Sequence, residues 1–239
     1  MVRAILSAPG SRGDVNPMIA IGKRLERLGH DVVISLAEPY AEIAAAAGLQ
    51  VEPVVDRQRF TELLSNVDFW KPFRGALAVL RDLAVEFLPL HDAVIRKHYV
   101  AGQTVLVAHP LDLASRVHRD ADPATPMVSV HLAPAILRTY DSPPRMSPWW
   151  FEVSRPAWAV QAAYRLIDRV VADPILAPPV NRLRASCALP PVRRVMDDWW
   201  LSPDRILAMY PEWYAPATRS FAPRLVHCGF PLNDVDGGD

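Results

Sequence analysis

Residues 2–17 read VRAILSAPGSRGDVNP, and this stretch sets the reading of the whole chain. Val2 to Ala8 is a short apolar run closed by Pro9-Gly10, the pattern of a buried parallel strand. Asn16 is a good helix N-cap and Pro17 suits a first helical position. Met18, Ile21, Leu25 and Leu28 follow at helical spacing, and Gly29 stops the helix. Asp31 to Ala37 is a second apolar strand, Tyr40 to Ala47 a short Ala-rich helix ended by Gly48, and Leu49 to Val54 a third strand. Strand and helix alternate, which predicts right-handed βαβ units and a parallel sheet.

The rest of the sequence continues the alternation. Phe73, Leu77, Leu80, Ala84, Phe87, His91 and Val94 recur at three or four residues, predicting helix from about Trp70 to Tyr99. Thr104 to Ala108 is a fourth strand ending in His109-Pro110. Leu111 to Arg119 is a helix, and Pro126 to Leu132 a fifth strand. A Pro-rich loop runs from Ala133 to Pro148. Helices are expected at Trp149 to Val171 and Pro179 to Ser186, and strands at Ile206 to Tyr210 and Arg224 to Cys228. The expected fold class is therefore α/β: a single doubly wound, Rossmann-like domain over residues 1–232, with a parallel sheet of about seven strands flanked by helices. Residues 233–239 form a polar tail or the start of a linker.

Composition bounds the function. At roughly 150 residues per domain, 239 residues make one large domain or two small ones. With 51% hydrophobic and 22% charged residues, the protein is an ordinary globular one. Lys plus Arg is 26 and Asp plus Glu is 26, so no basic excess points to nucleic acid as a partner. Two cysteines, Cys187 and Cys228, make neither a disulfide framework nor a metal-type pair, so no metal site is expected. No run reaches the roughly 18 apolar residues of a membrane span. The first apolar run is too short for a secretory signal. A cytoplasmic, reducing setting is the default expectation.

Ligands of doubly wound folds bind at the carboxyl ends of the strands, near the topological switch point. That rule selects the loop Gly10 to Asn16, the turn at Glu38, the turn at His109 and the loop after His131. Gly10 and Gly13 allow a tight turn ahead of a helix N-terminus, which can face an anion. The spacing is Gly-x-x-Gly, not the Gly-x-Gly-x-x-Gly of a dinucleotide fingerprint, which weakens a nicotinamide or flavin reading even though Glu38 stands where a ribose-binding acid would. A plainer reading makes Asp14 a favourable charge at a helix N-terminus. The aromatic cluster Trp149, Trp150, Phe151 and Trp158, with Leu137 and Met146, has three readings: the lining of an apolar cleft, a membrane-surface contact beside Arg155 and Arg165, or a packed helix through Trp158, Ala162, Arg165 and Ile167.

The segment Ala8-Pro9-Gly10-Ser11-Arg12-Gly13-Asp14-Val15-Asn16-Pro17, followed by Leu25 and Gly29-His30-Asp31-Val32, resembles the opening of GT-B glycosyltransferases. The similar groups are the sterol glucosyltransferases, the B-type rhamnosyltransferases and the glycopeptide-antibiotic glycosyltransferases. Ala46-Ala47-Gly48-Leu49, Val107-Ala108-His109-Pro110, Val128 to Pro134 and Arg224 to Leu232 resemble later strands of the same N-terminal half. The resemblance implies an acceptor-binding half, with the donor nucleotide-sugar held by a second domain whose phosphate loop has no counterpart here. The expected activity is hexose transfer from a uridine or thymidine diphosphate sugar to a hydroxyl of a hydrophobic acceptor, such as a lipid, a sterol or a natural product. The donor is a co-substrate, and no other cofactor is implied.

The resemblance also assigns residues. An inverting transfer needs a base for the acceptor hydroxyl. Many relatives place a His in the first loop; the Arg-Gly-Asp variant makes Asp14 the matching catalytic position. Arg12, Gly13, Asn16, His109 and His131 are the expected acceptor-binding residues. The family's partner carboxylate after the fourth strand falls in His109-Pro110-Leu111-Asp112, where its identity does not carry over cleanly. The expected partners are the acceptor and a donor-binding domain in cis or in trans, with a homodimer and peripheral membrane contact as further readings. The rival reading is a stand-alone binding module or split-enzyme partner without catalysis.

Overall fold

The computed structural model describes residues 1–71, 74–134, 137–140, 156–215, 221 and 223–231. Seven parallel strands form one sheet: β1 (Arg3–Ala8), β2 (Asp31–Ala37), β3 (Gln50–Val55), β4 (Thr104–Ala108), β5 (Met127–His131), β6 (Arg205–Ala208) and β7 (Leu225–His227). Their order across the sheet is β3-β2-β1-β4-β5-β6-β7. The doubly wound sheet of seven strands anticipated from the sequence is thus present. The order reverses between β1 and β4, whose pairing sets Arg3 opposite Thr104 and Leu6 opposite Val107.

Alternation along the strands builds two cores. Ala4, Leu6 and Ala8 of β1 point to one face, where Val15, Met18 and Ile19 of α1 (Arg12–Arg27) and Ala44 of α2 (Ala41–Ala46) cover them. Ile5 points to the other, against Leu88 and Ile95 of α5 (Val85–His98), Val117 of α6 (Ala114–Ala121) and Leu176 and Val180 of α8 (Asp173–Ser186). The helix expected before β4 is present as α4 (Arg74–Ala78), which runs through a π-helical turn, Val79–Ala84, into α5. With both faces covered, β1, β2, β4 and β5 read as nearly continuous apolar runs. Gly29 ends α1 at φ +83°, and His30 N–H reaches back to the Leu25 carbonyl at 3.1 Å, closing the last turn.

Three local expectations need correction. The first helix does not start at Asn16-Pro17. Ser11, extended at φ −84° and ψ 179°, is the N-cap, and Arg12 begins the helix more than a turn earlier. Pro17 is tolerated inside because the bond it cannot make belongs to the carbonyl of Gly13, still in the exposed first turn. The second correction is a helix that sequence periodicity missed. α3 (Arg57–Ser65) is capped by Asp56, which accepts from Arg59 N–H at 2.7 Å, and buries only Phe60 and Leu63. The third concerns the segments expected as separate helices after β5. α7 (Ala157–Ile167) passes through a π-helical turn, Asp168–Ala172, straight into α8, despite Pro178 and Pro179. Phe73, Met146, Trp149, Trp150, Phe151, Arg155 and the tail 233–239 lie outside the described residues.

One polar hub fixes the far side of the sheet. The Asp120 carboxylate of α6 accepts from Arg116, from the buried Arg184 of α8, and from Trp199 Nε1 at 2.8 Å. The Trp199 ring is held between the two guanidiniums, each 5.5 Å from it. Burial pushes the Asp120 carboxyl up, but the Trp199, Arg184 and Arg116 hydrogen bonds outweigh that and hold it below its usual range. Asp120→Ala leaves two cations unpaired, one of them buried. Urea denaturation is expected to show a loss of about 3 kcal/mol, the scale for breaking one side of a buried ion pair.

Candidate functional site

The site lies where β1 and β4 part at the switch point. After Ala8 the backbone turns at Gly10, whose φ of +116° suits only glycine. A β-carbon there would overlap Asp14 Oδ2, so the carboxylate lies back over Gly10. Gly13 carries no such constraint: it is helical and open, and a β-carbon would make only ordinary contact with Ser11 Oγ. Asp14 Oδ2 accepts from Ser11 N–H at 2.9 Å and from Ser11 Oγ at 3.3 Å. The acid therefore closes the helix N-terminus and is fixed by it.

His109 meets Asp14 from the other strand. Its Nε2 lies 3.3 Å from Asp14 Oδ1. Its Nδ1 accepts from Leu111 N–H at 3.2 Å, and its own backbone N–H donates to Ser7 Oγ at 2.9 Å. A backbone N–H can only donate, so Nδ1 is bare and the proton sits on Nε2, aimed at the carboxylate. The Asp14 side chain is 33% exposed and that of His109 only 4%. Burial raises the Asp14 carboxyl pKa, but the hydrogen bonds from His109 and Ser11 outweigh it and leave it below the usual range.

A buried series of polar groups underlies this pair. His91 of α5 places Nε2 3.1 Å from Asp112 Oδ2 and Nδ1 2.6 Å from Ser35 Oγ of β2. Ser115 donates its hydroxyl to Asp112 Oδ2 at 2.6 Å and its N–H to Oδ1 at 3.0 Å. Asp112 N–H closes the turn on the His109 carbonyl at 2.9 Å. Burial would push the Asp112 carboxyl up; the His91 ring and Ser115 prevail and hold it at about 2. The acid after β4 thus turns inward as an anchor, and His109 takes the place facing Asp14. Ser7, Ser35, His91 and Ser115 escaped sequence reading, although two serines inside apolar strands were the available signal.

The other expected residues are placed as follows. Arg12 is exposed at the first position of α1. Asn16 sits one turn further on, its Oδ1 buried without a partner among the described residues. His131 ends β5, fully buried, its ring edge-on to Trp200 at 5.7 Å and neither ring nitrogen paired among the described residues. Glu38 accepts from Arg57 N–H at 2.9 Å at the start of α3. Tyr40 approaches the Arg12 amide, and burial pushes its hydroxyl pKa up. Beside Gly10 a small apolar recess of about 20 Å³ opens, lined by Ala37, Val55, Phe60, Leu63 and Phe87, with Asp82 and Glu86 also on its wall. Among the described residues no cluster of His, Cys, Asp or Glu could hold a metal ion, and no helix is long and apolar enough to cross a membrane.

The seven-stranded parallel sheet is Rossmann-like and matches the fold of solved glycosyltransferase structures. Residues 4–118 match the glycosyltransferase family 28 N-terminal domain. The chain is 31% identical over 140 residues to the O-mycaminosyltylonolide 6-deoxyallosyltransferase of Streptomyces fradiae, covering 56% of this chain and 32% of that protein. It is 38% identical over 53 residues to the dTDP-epi-vancosaminyltransferase of Amycolatopsis orientalis, covering 22% of this chain and 13% of that protein. Among solved structures it matches the glycosyltransferase of kitacinnamycin, with a TM-score of 0.60 at 16% identity over 99% of this chain and 54% of that one. It also matches the calicheamicin glycosyltransferase CalG4, with a TM-score of 0.57 at 16% identity over 97% of this chain and 52% of that one. The chain therefore spans about a third or less of the curated relatives and about half of the solved structures.

His131 makes the fold acid-sensitive above the carboxylate range. Burial pushes its folded-state pKa down to about 3 from an ordinary 6.5. Between those values the unfolded protein binds a proton that the folded one refuses, so stability falls as pH falls through that window. His131→Leu is expected to flatten the dependence of unfolding free energy on pH between 6.5 and 4 by about one proton, or about 1.4 kcal/mol per pH unit. Urea titrations across that range measure the slope.

Proposed function

We infer that this chain is the acceptor-binding part of a glycosyltransferase that moves a hexose from a nucleoside-diphosphate sugar to a hydroxyl of a hydrophobic acceptor. The observation that carries the reading is the Asp14–His109 pair, a partly open carboxylate backed by a buried donor beside a small apolar recess. The names of the relatives support the donor class. One is a dTDP-sugar transferase, and the solved glycosyltransferase VinC holds dTDP, at a TM-score of 0.53 to this chain.

The geometry divides the work. His109 Nδ1 accepts from Leu111 N–H, which leaves Nε2 to donate to Asp14. Asp14 is the base. Its Oδ2 is occupied by Ser11, while Oδ1 accepts from His109 and keeps a lone pair for the acceptor hydroxyl. As the acceptor oxygen bonds to the anomeric carbon, the bond to the nucleoside diphosphate breaks and the hydroxyl proton passes to Asp14. The small apolar recess beside Gly10 offers an edge contact for an apolar acceptor, and Asn16 and Arg12 border the loop as polar contacts.

Asp14→Asn keeps an oxygen for Ser11 N–H but cannot take a proton. With a donor-binding half present, turnover is expected to fall by about 10²–10⁴ with little change in thermal midpoint. Full turnover with a lowered midpoint would leave Asp14 a helix cap only. Rates are followed with uridine and thymidine diphosphate sugars against a panel of hydrophobic alcohols. His109→Gln is expected to move the acidic limb of the pH–rate profile upward, since His109 helps hold the Asp14 carboxyl low.

A further inference from the structure

The crossover from β5 to β6 contains a continuous helix, 157–186, whose outer side the proposed chemistry leaves unused. Its first part barely touches the protein: α7 buries only Val160 and Tyr164. The outer side is apolar instead of charged. Trp158 is 72% exposed, and Leu166 and Val170 are each 63% exposed. With exposed Ala162 they recur every fourth residue, and exposed Pro174 and Pro178 continue the row. In an α-helix such a row drifts by about 40° per step. The π-helical turn Asp168–Ala172 holds extra residues per turn and turns the drift back, so the row stays on one side.

The charges on this helix are sorted. Arg165, Arg169 and Arg182 are exposed and form no ion pair among the described residues. Both acids face inward. Asp168 is 1% exposed and bound by both guanidinium nitrogens of Arg138 at 2.7 Å. Asp173 accepts from the N–H groups of Arg194 and Val195 at 2.7 and 2.9 Å. What faces solvent is an apolar ridge edged only by cations. The packed-helix reading of Trp158 is thereby corrected, because the ring stands in solvent.

We propose that this ridge docks the protein on an anionic lipid surface. A single convex helix offers no concavity for a folded partner, but a fluid interface can close around it, taking the apolar row into its outer layer while the arginines meet lipid phosphates. A helix joining parallel strands runs back against them, so its Trp158 end lies at the sheet edge that holds Asp14 and His109. Docking would bring that edge next to the place where apolar alcohols concentrate.

The test is co-sedimentation of the protein with vesicles of phosphatidylcholine alone or mixed equally with phosphatidylglycerol. Binding is expected to the mixed vesicles only, and to weaken as salt rises. Arg165→Gln, Arg169→Gln and Arg182→Gln together are expected to lower partitioning roughly a hundredfold, at about fivefold per arginine. Leu166→Asp with Val170→Asp is expected to abolish it. These side chains are exposed, so circular dichroism and thermal midpoint should stay unchanged and certify folding. The proposal is overturned by equal binding to both vesicle types, by no binding, by variants that partition like the parent, or by self-association that the Leu166→Asp, Val170→Asp variant removes.

Discussion

His91 and Asp112 face each other 3.1 Å apart with no exposed side-chain surface between them. Leaving either alone in that interior would be strongly unfavourable, so the pair acts as one unit. Ser35 ties the unit to β2, and Ser115 ties it to the start of α6. The peptide of Asp112 closes the turn whose first residue is His109. The position of His109, and through it the set of the Asp14 carboxylate, rests on a polar contact inside the apolar layer. Hydrophobic packing alone is non-directional and would leave that turn free to settle in several ways. The buried pair gives it one.

The same logic explains which side chains meet across the switch point. The resemblance read from the sequence leads to the expectation of a base in the first loop and a carboxylate after the fourth strand. Here the first loop supplies the acid, and the residue after β4 that meets it is a histidine. A carboxylate in both places would set like charges against each other across a short gap. Turning Asp112 into the core and presenting His109 avoids that repulsion and keeps a donor opposite an acceptor.

Much of this architecture was legible in the sequence, and the reasons are physical. Strands buried on both faces are written as unbroken apolar runs, so β1, β2, β4 and β5 stood out. Helix boundaries were less legible. Asn16-Pro17 is a strong start signal, but Ser11 also caps well, and its reciprocal bond with Asp14 prevails. α3 was missed because it is polar on most sides and buries only two side chains. The run through Pro178 and Pro179 read as a break because proline forfeits a helical bond, a loss that a wider π-turn upstream does not advertise in letters. Asp14 and His109 were legible as strand-end residues. Their supporting shell was not: His91 passed as one more position on a helical face, and no spacing rule joins it to Asp112. Only the packing of α5 against α6 does that.

The strand order also governs how the protein assembles. β1 precedes the other six strands in the chain yet ends inside the sheet, with β2 on one side and β4 on the other. The β1–β2–β3 half closes through short connections and can form early. The other edge of β1 must wait for Thr104 and its neighbours to arrive before its backbone groups find partners. Non-local parallel pairing of this kind is slow, because loop-closure entropy is spent before any contact repays it. During that interval the half-sheet carries an open apolar edge, the geometry that recruits stray strands from other molecules. The seam that later holds Asp14 against His109 is therefore also the seam along which a partly made protein is most exposed to misassembly.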